Sequence, residues 1–363
     1  MTTGTLRRAV LIHAACPMER VVRRCRRPGG VMQMRSRTTS RLFTLALRSR
    51  VTVLMLVCAA ATAQTFPNGQ LRIISPYPPG GGTDVLGRVI AQRYTERFSQ
   101  PAIVDNRVGA NGTIGTAFVA KAPPDGLTLL LVPAGHAANP SLYKSLPYEQ
   151  SRDLAPVSQL TSGPLVLVVY PSLPVRSVKE LIALARSRPG DLNFGSPGSG
   201  ALPHLSAELF NAMAGTRMTH VPYKGPGLAV ADLMSGQIAL YFMNVTQALP
   251  LVAASKLRAL GVTSPRRSAT APQIPTIAEQ GLPGFDMTNW YGMLAPSATP
   301  KDTIDAIYTE VRRIVSLPDT RKSLADMGMV VEATTPEDFA RFLQRESAKY
   351  LKVIQAAGIK GTL

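Results

Sequence analysis

The chain has 363 residues, of which 40 are basic and 22 are acidic, and 45% are hydrophobic. This length suits two domains of ordinary size, and the hydrophobic fraction excludes a disordered chain. The net charge of +18 is concentrated at one end, because residues 1–63 hold 12 arginines and one glutamate. The other 300 residues hold 28 basic and 21 acidic residues, so no nucleic acid partner is expected.

The basic N-terminal region has the pattern of a secretory signal peptide. Five arginines lie within 34–50, an apolar run follows over 51–61, and Ala61-Thr62-Ala63 is a typical cleavage site. The apolar run is shorter than the roughly 20 residues that span a bilayer. We expect a signal peptide over 34–63, cleavage after Ala63 and a periplasmic protein, with an uncleaved anchor as the alternative. Residues 1–33 are expected to be an upstream mis-start or an extension.

Cysteine usage agrees with export. Cys16, Cys25 and Cys58 all precede the predicted cleavage site. The chain beyond residue 63 therefore offers no disulfide, thiol nucleophile or thiolate metal ligand.

Apolar runs alternate with helical patterns along the rest of the chain. Strands are predicted at 71–74, 103–104, 127–132, 165–169, 192–194, 217–221, 238–242 and 257–262. Helices are predicted from the N-cap Thr83, over 112–122, from the capping box at Ser177 to residue 189, up to Gly215, over 228–234, over 302–315 and from the cap Thr335. Beyond Tyr291 the chain is expected to be mostly helical. The alternation predicts an α/β protein with mostly parallel sheets and ligand sites at the carboxyl ends of strands.

Two loops at such strand ends are rich in glycine, serine and proline, one over 80–84 and one over 195–200. The run Gly80-Gly81-Gly82-Thr83 follows a strand and opens a helix, where free backbone N–H groups and the helix dipole favour an anion. No Lys-Ser/Thr follows it, so it is not a nucleotide-binding P-loop. A tight turn is the structural alternative for either loop. Two such loops in different halves of the chain favour one shared anion site.

The sequence shows no catalytic or metal-binding constellation. Ser196 and Ser199 do not lie in a nucleophile elbow, and the histidines lack metal-ligand spacing. His136 follows a strand end and is a pocket candidate, whereas packing is the favoured role of His204 and His220. We expect no catalytic residue, no metal and no cofactor.

Two further features lie near predicted strand ends. Lys224 ends a strand and is either a cation for the ligand or a solvated charge. Trp290 and Tyr291 are expected to pack at a domain boundary.

Five motifs, in order and spacing, resemble one protein family. They are Pro78-Pro79-Gly80-Gly81-Gly82-Thr83-Asp84, the segment 104–115, the segment 124–130, Gly195-Ser196-Pro197-Gly198-Ser199-Gly200 and His220-Val221-Pro222-Tyr223-Lys224-Gly225. Residues 66–363 thereby resemble the periplasmic substrate-binding receptors of tripartite tricarboxylate transporters, also called Bug receptors.

The resemblance implies a type II periplasmic-binding-protein fold, in which crossing strands join two α/β lobes around a ligand cleft. Lobe one would comprise 64–163 plus 291–363, and lobe two would comprise 164–290. The implied ligand-binding residues are Tyr77, Pro79, Gly80, Gly81, Thr83, Asp84, His136, Ser196, Gly198, Ser199, Gly200, Tyr223 and Lys224.

The resemblance also implies a function. The chain would be a monomeric, non-enzymatic extracytoplasmic receptor that binds a small organic carboxylate and delivers it to membrane permease subunits. A sensor that docks on a membrane kinase is one alternative, and an enzyme on the same two-lobed fold is another. The family often has an acidic residue after the phenylalanine where this chain has Phe242-Met243. That departure favours a carboxylate without an amine.

Overall fold

The computed structural model of the chain describes residues 69–363. The signal peptide predicted over 34–63, its cleavage after Ala63 and the segment 1–33 lie outside the described residues. Within 69–363, no helix is long and apolar enough to cross a membrane.

The described residues form eleven strands, and most fall where the sequence predicts one. They are β1 (Leu71–Ser75), β2 (Ala102–Asn106), β3 (Thr128–Pro133), β4 (Leu154–Gly163), β5 (Leu165–Val169), β6 (Asn193–Ser196), β7 (Thr219–Pro222), β8 (Leu240–Asn244), β9 (Arg258–Val262), β10 (Asn289–Pro296) and β11 (Val330–Val331).

Eleven α-helices accompany these strands within the described part of the chain. They are α1 (Gly82–Phe98), α2 (Thr113–Ala120), α3 (Asn139–Leu142), α4 (Gln150–Asp153), α5 (Val178–Ser187), α6 (Leu202–Ala214), α7 (Pro226–Met234), α8 (Val245–Ala253), α9 (Lys301–Ser316), α10 (Pro318–Asp326) and α11 (Pro336–Ala356). Short 3-10 turns cover Ala110–Gly112 and Ala134–Ala138.

The strands form two sheets, ordered β11-β4-β10-β3-β1-β2 and β7-β6-β8-β5-β9. The expectation of mostly parallel sheets is wrong. Parallel pairs join β1 to β2 and β3, and β6 to β7 and β8, but β10 runs antiparallel to both β3 and β4. In the second sheet β5 is antiparallel to β8 and β9. The strand that follows each crossing, β5 in the second sheet and β10 in the first, runs against the βαβ units.

The chain crosses between the sheets twice. It leaves the first sheet at Gly163 and Pro164, between β4 and β5, and returns between β9 and β10. The Leu165 N–H donates to Thr263 Oγ1 at 2.9 Å, and the Thr263 N–H donates to the Leu165 carbonyl oxygen at 2.9 Å. These bonds tie the two crossing segments together. The predicted lobe boundaries of 163/164 and 290/291 stay a prediction.

Apolar side chains cover both faces of the first sheet, as expected of central strands. Ile73 of β1 joins a cluster with Leu86 of α1 and Ile307 of α9. Its neighbour Ile74 points to the other face and joins the largest cluster, which also contains Phe210 of α6. This largest cluster therefore draws residues from both sheets and from α11.

Several predicted helix boundaries need correction. Thr83 is not the N-cap of α1, because that cap is Gly81 and the Thr83 hydroxyl lies 2.8 Å from Ser75 Oγ. The helix predicted over 112–122 starts at Thr113 after a 3-10 turn. The caps at Ser177 and Thr335 are confirmed, since each side chain accepts a bond from a backbone N–H three residues later.

Candidate functional site

A cavity of about 170 Å³ lies beside the crossing segments, where β1 leads into α1 and β8 leads into α8. This volume is smaller than the roughly 300–1,000 Å³ of pockets for drug-sized ligands, and suits a small solute. The lining residues are Gly80, Gly82, Val85, Gly163, Pro164, Asn244, Val245, Thr246, Gln247, Asn289, Tyr291, Met327, Gly328 and Met329. We call this space the crossing cavity.

Polar and apolar side chains both line the crossing cavity, and none of the lining side chains is charged. Two helices begin on it, α1 at Gly82 and α8 at Val245. Their N-caps, Gly81 and Asn244, make no side-chain capping hydrogen bond. The first-turn N–H groups of a helix have no partner within the helix, and the dipole places partial positive charge there. Both helix ends therefore favour an anion in the cavity.

Tyr291 forms one wall of the crossing cavity. It is buried against Gly82, so closely that a Cβ on Gly82 would overlap its hydroxyl group. Burial raises the pKa of the Tyr291 phenol above its ordinary value, and the hydroxyl accepts a hydrogen bond from Asn289 Nδ2 at 3.2 Å. The phenol thus keeps its proton at neutral pH and can donate a hydrogen bond.

Only Gly80, of the thirteen predicted ligand residues, lines the crossing cavity. The residues around it shape the loop. Asp84 is buried, and its Oδ2 accepts bonds from the Gly80 N–H at 3.0 Å and from Arg88 Nε at 3.0 Å. Gly81 is partly exposed and Pro79 is exposed. The charge of Asp84 is thereby directed into the loop and neutralised by Arg88.

Tyr77 and His136 lie outside the crossing cavity lining. The Tyr77 hydroxyl donates to the Asn111 carbonyl oxygen at 3.1 Å, and burial raises the pKa of this phenol. His136 follows β3 as predicted, but it is buried in the 3-10 turn Ala134–Ala138. Burial lowers the pKa of His136 to about 3, so the ring is neutral.

The predicted lobe-two residues gather around the loop over 196–200, which we call the glycine–serine loop. Ser196 is buried at the end of β6, and its Oγ accepts a bond from the Gly198 N–H at 3.2 Å. The Tyr223 N–H donates to the Ser196 carbonyl oxygen at 2.9 Å. Ser199 is half-buried and Lys224 is exposed.

The glycine–serine loop contacts the first sheet's half of the molecule at another place. A Cβ on Gly200 would lie 2.5 Å from Leu142 Cδ1 and 3.1 Å from Asn111 Nδ2. None of the six predicted lobe-two residues lines the crossing cavity. That this loop joins the 80–84 loop around one carboxylate stays a prediction.

Sequence reasoning missed the polar residues at the end of β8. Asn244, Thr246 and Gln247 line the cavity with Gly80. The strand end at Asn244 leads into α8, which is the same signal that singled out the 80–84 loop. The junction between β8 and α8 contains no glycine run, so the sequence did not single it out.

Neither Phe242 nor Met243 lines the crossing cavity. Met243 is buried and lines a neighbouring surface groove of about 280 Å³, together with Pro226 and Met234 of α7; this groove shares only Gln247 with the crossing cavity. An acidic residue at this position would face α7 and α8. The inference against an amine-bearing ligand therefore gains no support from the geometry.

Comparison with known proteins agrees on one family. Residues 86–359 match the family described as "Tripartite tricarboxylate transporter family receptor". Protein BugT of Bordetella pertussis is 36% identical over 306 residues, covering 84% of this chain and 94% of that protein.

Two solved structures share the fold over most of the chain. R. palustris Rpa4515 with adipate has a TM-score of 0.75 and 36% identity, covering 81% of this chain and 99% of that one. MatC (Rpa3494) from Rhodopseudomonas palustris with bound malate has a TM-score of 0.72 and 30% identity, covering 80% of this chain and 100% of that one.

Proposed function

The chain belongs to the tripartite tricarboxylate transporter receptor family, and from this premise we propose that it binds a small dicarboxylate in its interlobe cleft. The family's receptors are periplasmic, bind carboxylates and work with membrane transporter components. The single observation that carries the proposal is the crossing cavity, on which α1 and α8 both begin without a side-chain cap. Adipate and malate, bound by the two structural neighbours, are the first candidates.

Uncharged hydrogen-bond donors, such as backbone N–H groups and hydroxyls, can bind the carboxylates of such a ligand. A hydrogen bond to a charged group contributes about 1.5–3 kcal/mol. Three or four such bonds from first-turn N–H groups, Thr246 and Tyr291 support micromolar affinity after ordering costs. Binding at residues contributed by both halves of the chain would draw the lobes together by hinge motion at the two crossing segments.

The lobe boundaries, the mature start, the oligomeric state and the partner are proposed from the sequence analysis. Lobe one comprises 64–163 plus 291–363, and lobe two comprises 164–290. The mature receptor starts after Ala63, acts as a monomer, catalyses no reaction and delivers its ligand to permease subunits. N-terminal sequencing of periplasmic material tests the start, and a mature start upstream of residue 51 would contradict it.

The experiment for ligand class is a thermal-shift and calorimetric screen of the mature protein with adipate, malate and adipamide. Adipamide has the length of adipate but no charge. A ligand at one hundred times its dissociation constant stabilises by about 2.7 kcal/mol. We expect stabilisation by at least one diacid and none by adipamide, with the diacid recovered unchanged. No response to either acid, or chemical conversion of one, would contradict the proposal.

Matched variants test the crossing cavity. Thr246→Val keeps the side-chain shape and removes the hydroxyl of a residue that lines the cavity. It should weaken diacid binding roughly tenfold. Thr309→Val makes the same change on the exposed side of α9, where the hydroxyl bonds only to Asp305 O at 2.8 Å, and should leave binding unchanged. Equal affinities for the two variants would place the ligand elsewhere.

A second pair tests the residues carried over by resemblance. Gly81 has extended backbone angles that any residue adopts, so Gly81→Val should fold. A valine there crowds the approach to the α1 N-terminus and should nearly abolish binding. Ser199→Ala removes one hydroxyl and should weaken binding by about 1–2 kcal/mol. Calorimetry measures both, and circular dichroism verifies the fold. Unchanged binding by folded Gly81→Val would exclude the 80–84 loop.

A further inference from the structure

Two stacked histidines form hydrogen bonds to the glycine–serine loop. The rings of His204 and His220 lie 3.8 Å apart between centroids and are inclined by 14°. Phe194, fully buried in β6, stacks against the His220 ring at 5.1 Å. Each histidine makes a hydrogen bond to a different residue of the loop, so the pair reaches the loop at both of its ends.

The bond to Gly200 determines the proton position on His204. The Gly200 N–H donates to Nδ1 of His204 at 3.0 Å, so Nδ1 must carry a lone pair. The ring proton of the neutral form is then on Nε2, which lies 3.5 Å from Glu208 Oε1. A positively charged His204 would have a proton on Nδ1 and could not accept this bond.

The hydrogen bond between His220 and Ser196 holds the other end of the loop. His220 Nε2 lies 2.7 Å from Ser196 Oγ. The serine hydroxyl has one proton, and Oγ lies 2.9 Å from the Gly198 carbonyl oxygen. Both contacts are satisfied when Nε2–H of His220 donates to Oγ and the hydroxyl donates to Gly198. His220 then holds the serine that closes the turn.

The fixed end of the loop is also the part that meets lobe one. Gly200 has φ +81° and has no room for a side chain against Leu142 and Asn111. Asn111 is itself held, because its Nδ2 donates to Asn139 Oδ1 at 2.8 Å. A shift of the Gly200 amide would therefore change the surface that one lobe presents to the other.

We propose that His204 and His220 are positioning residues, which hold the glycine–serine loop in its ligand-receiving shape through two directed hydrogen bonds. This inference rests on the proposed function for its effect on ligand binding. Packing alone would require only the shape of the rings. Positioning requires a lone pair at Nδ1 of residue 204 and a polar hydrogen at the Nε2 place of residue 220.

Two isosteric pairs separate these possibilities. Asn and Leu at 204 have the same shape, and only Asn places an acceptor where Nδ1 lies. Gln and Met at 220 have nearly the same shape, and only Gln places a donor where Nε2 lies. All four variants, His204→Asn, His204→Leu, His220→Gln and His220→Met, lose the ring stack, so any difference within a pair reports the hydrogen bond.

Binding of adipate and malate to the mature protein is measured by calorimetry, and hydrogen exchange of the Gly200 amide is measured without ligand. We expect His204→Asn to bind about tenfold more tightly than His204→Leu, and its Gly200 amide to exchange about tenfold more slowly. We expect the Gln variant at 220 to bind about tenfold more tightly than the Met variant. Thermal midpoints without ligand should be similar within each pair.

Equal dissociation constants within a pair would overturn the role of that histidine, and equal Gly200 exchange in His204→Asn and His204→Leu would overturn the first hydrogen bond. If the wild type binds neither acid, the proposed function fails by that result. The exchange rates of Gly200 still decide whether His204 holds the loop.

Discussion

Gly82 marks a position where one added methyl group would collide with a wall of the crossing cavity. Gly82→Ala places a Cβ inside the space of the buried Tyr291 ring. We expect a loss of about 1–3 kcal/mol in the free energy of unfolding, as for other overpacked sites, and weaker diacid binding. Gly227→Ala is the control, because a Cβ near the start of α7 meets open space. Urea unfolding of both variants checks this, and equal stabilities would contradict it.

Asp84 makes the stability of the fold depend on pH, and the direction of its pKa shift gives the sign of that dependence. Burial opposes ionisation, but hydrogen bonds from Arg88 and Gly80 outweigh it and hold the pKa of Asp84 below its ordinary value. The carboxylate therefore stabilises the fold at neutral pH, and this contribution disappears as the pH falls below about 4. Asp84→Asn should cost about 1 kcal/mol at pH 7, since Arg88 is 60% exposed and screened.

The measurement is urea unfolding of the wild type and Asp84→Asn between pH 3 and pH 7. The difference between them should shrink toward the acid end. Asp191→Asn, at an exposed position, is the control and should show no such trend. A difference that stays constant with pH would contradict the role of the charge.

At the scale of single elements, helix caps offer a direct comparison. Ser177 caps α5 by accepting a bond from the Glu180 N–H at 3.2 Å, and Thr335 caps α11 through the Asp338 N–H at 3.1 Å. Ser177→Ala and Thr335→Ala should each cost about 0.5–2 kcal/mol. Ser187→Ala, at the far end of α5, should change stability by less than about 0.5 kcal/mol. Chemical denaturation measures all three, and a neutral Thr335→Ala would contradict the cap.

The elements that were predictable carry a local signal. Leu165–Val169 is an unbroken apolar run, and α11 starts with a threonine cap followed by Pro336. The strand β10 was missed, since the chain beyond Tyr291 was expected to be mostly helical. The strands that pair with β10 are distant from it in sequence, so no local pattern indicates the pairing. The strand β4 was also missed, since Ser158, Gln159 and Thr161 are buried polar residues.

The candidate site was predictable to the same extent. The 80–84 loop combines glycines with a strand end and a helix start, and the structure places Gly80 on the crossing cavity. Asn244 and Tyr291 lie on that cavity because of the positions of β8 and β10. Each of these strands is placed by pairing with a strand that is distant in sequence within its own sheet. No local pattern encodes such a meeting of distant segments. The histidine pair is likewise a product of stacking between α6 and β7.

For the whole molecule, the largest apolar cluster predicts cooperative unfolding. It contains Leu130 from β3, Phe194 from β6 and Tyr350 from α11. Loss of either sheet would expose part of this shared core. We expect one calorimetric transition for the mature protein, with equal calorimetric and van't Hoff enthalpies. Two resolved transitions would show that the lobes unfold separately.

The order of strands in the first sheet has a consequence for synthesis. β10, made more than two hundred residues after β1, lies between β3 and β4 in the finished sheet. Until residue 296 has left the ribosome, β3 and β4 each present an unpaired edge of backbone N–H and C=O groups. Such edges invite pairing with other chains. The first sheet therefore cannot be completed before β10 is made, whereas β5 to β9, contiguous in sequence, can pair before the remainder is made.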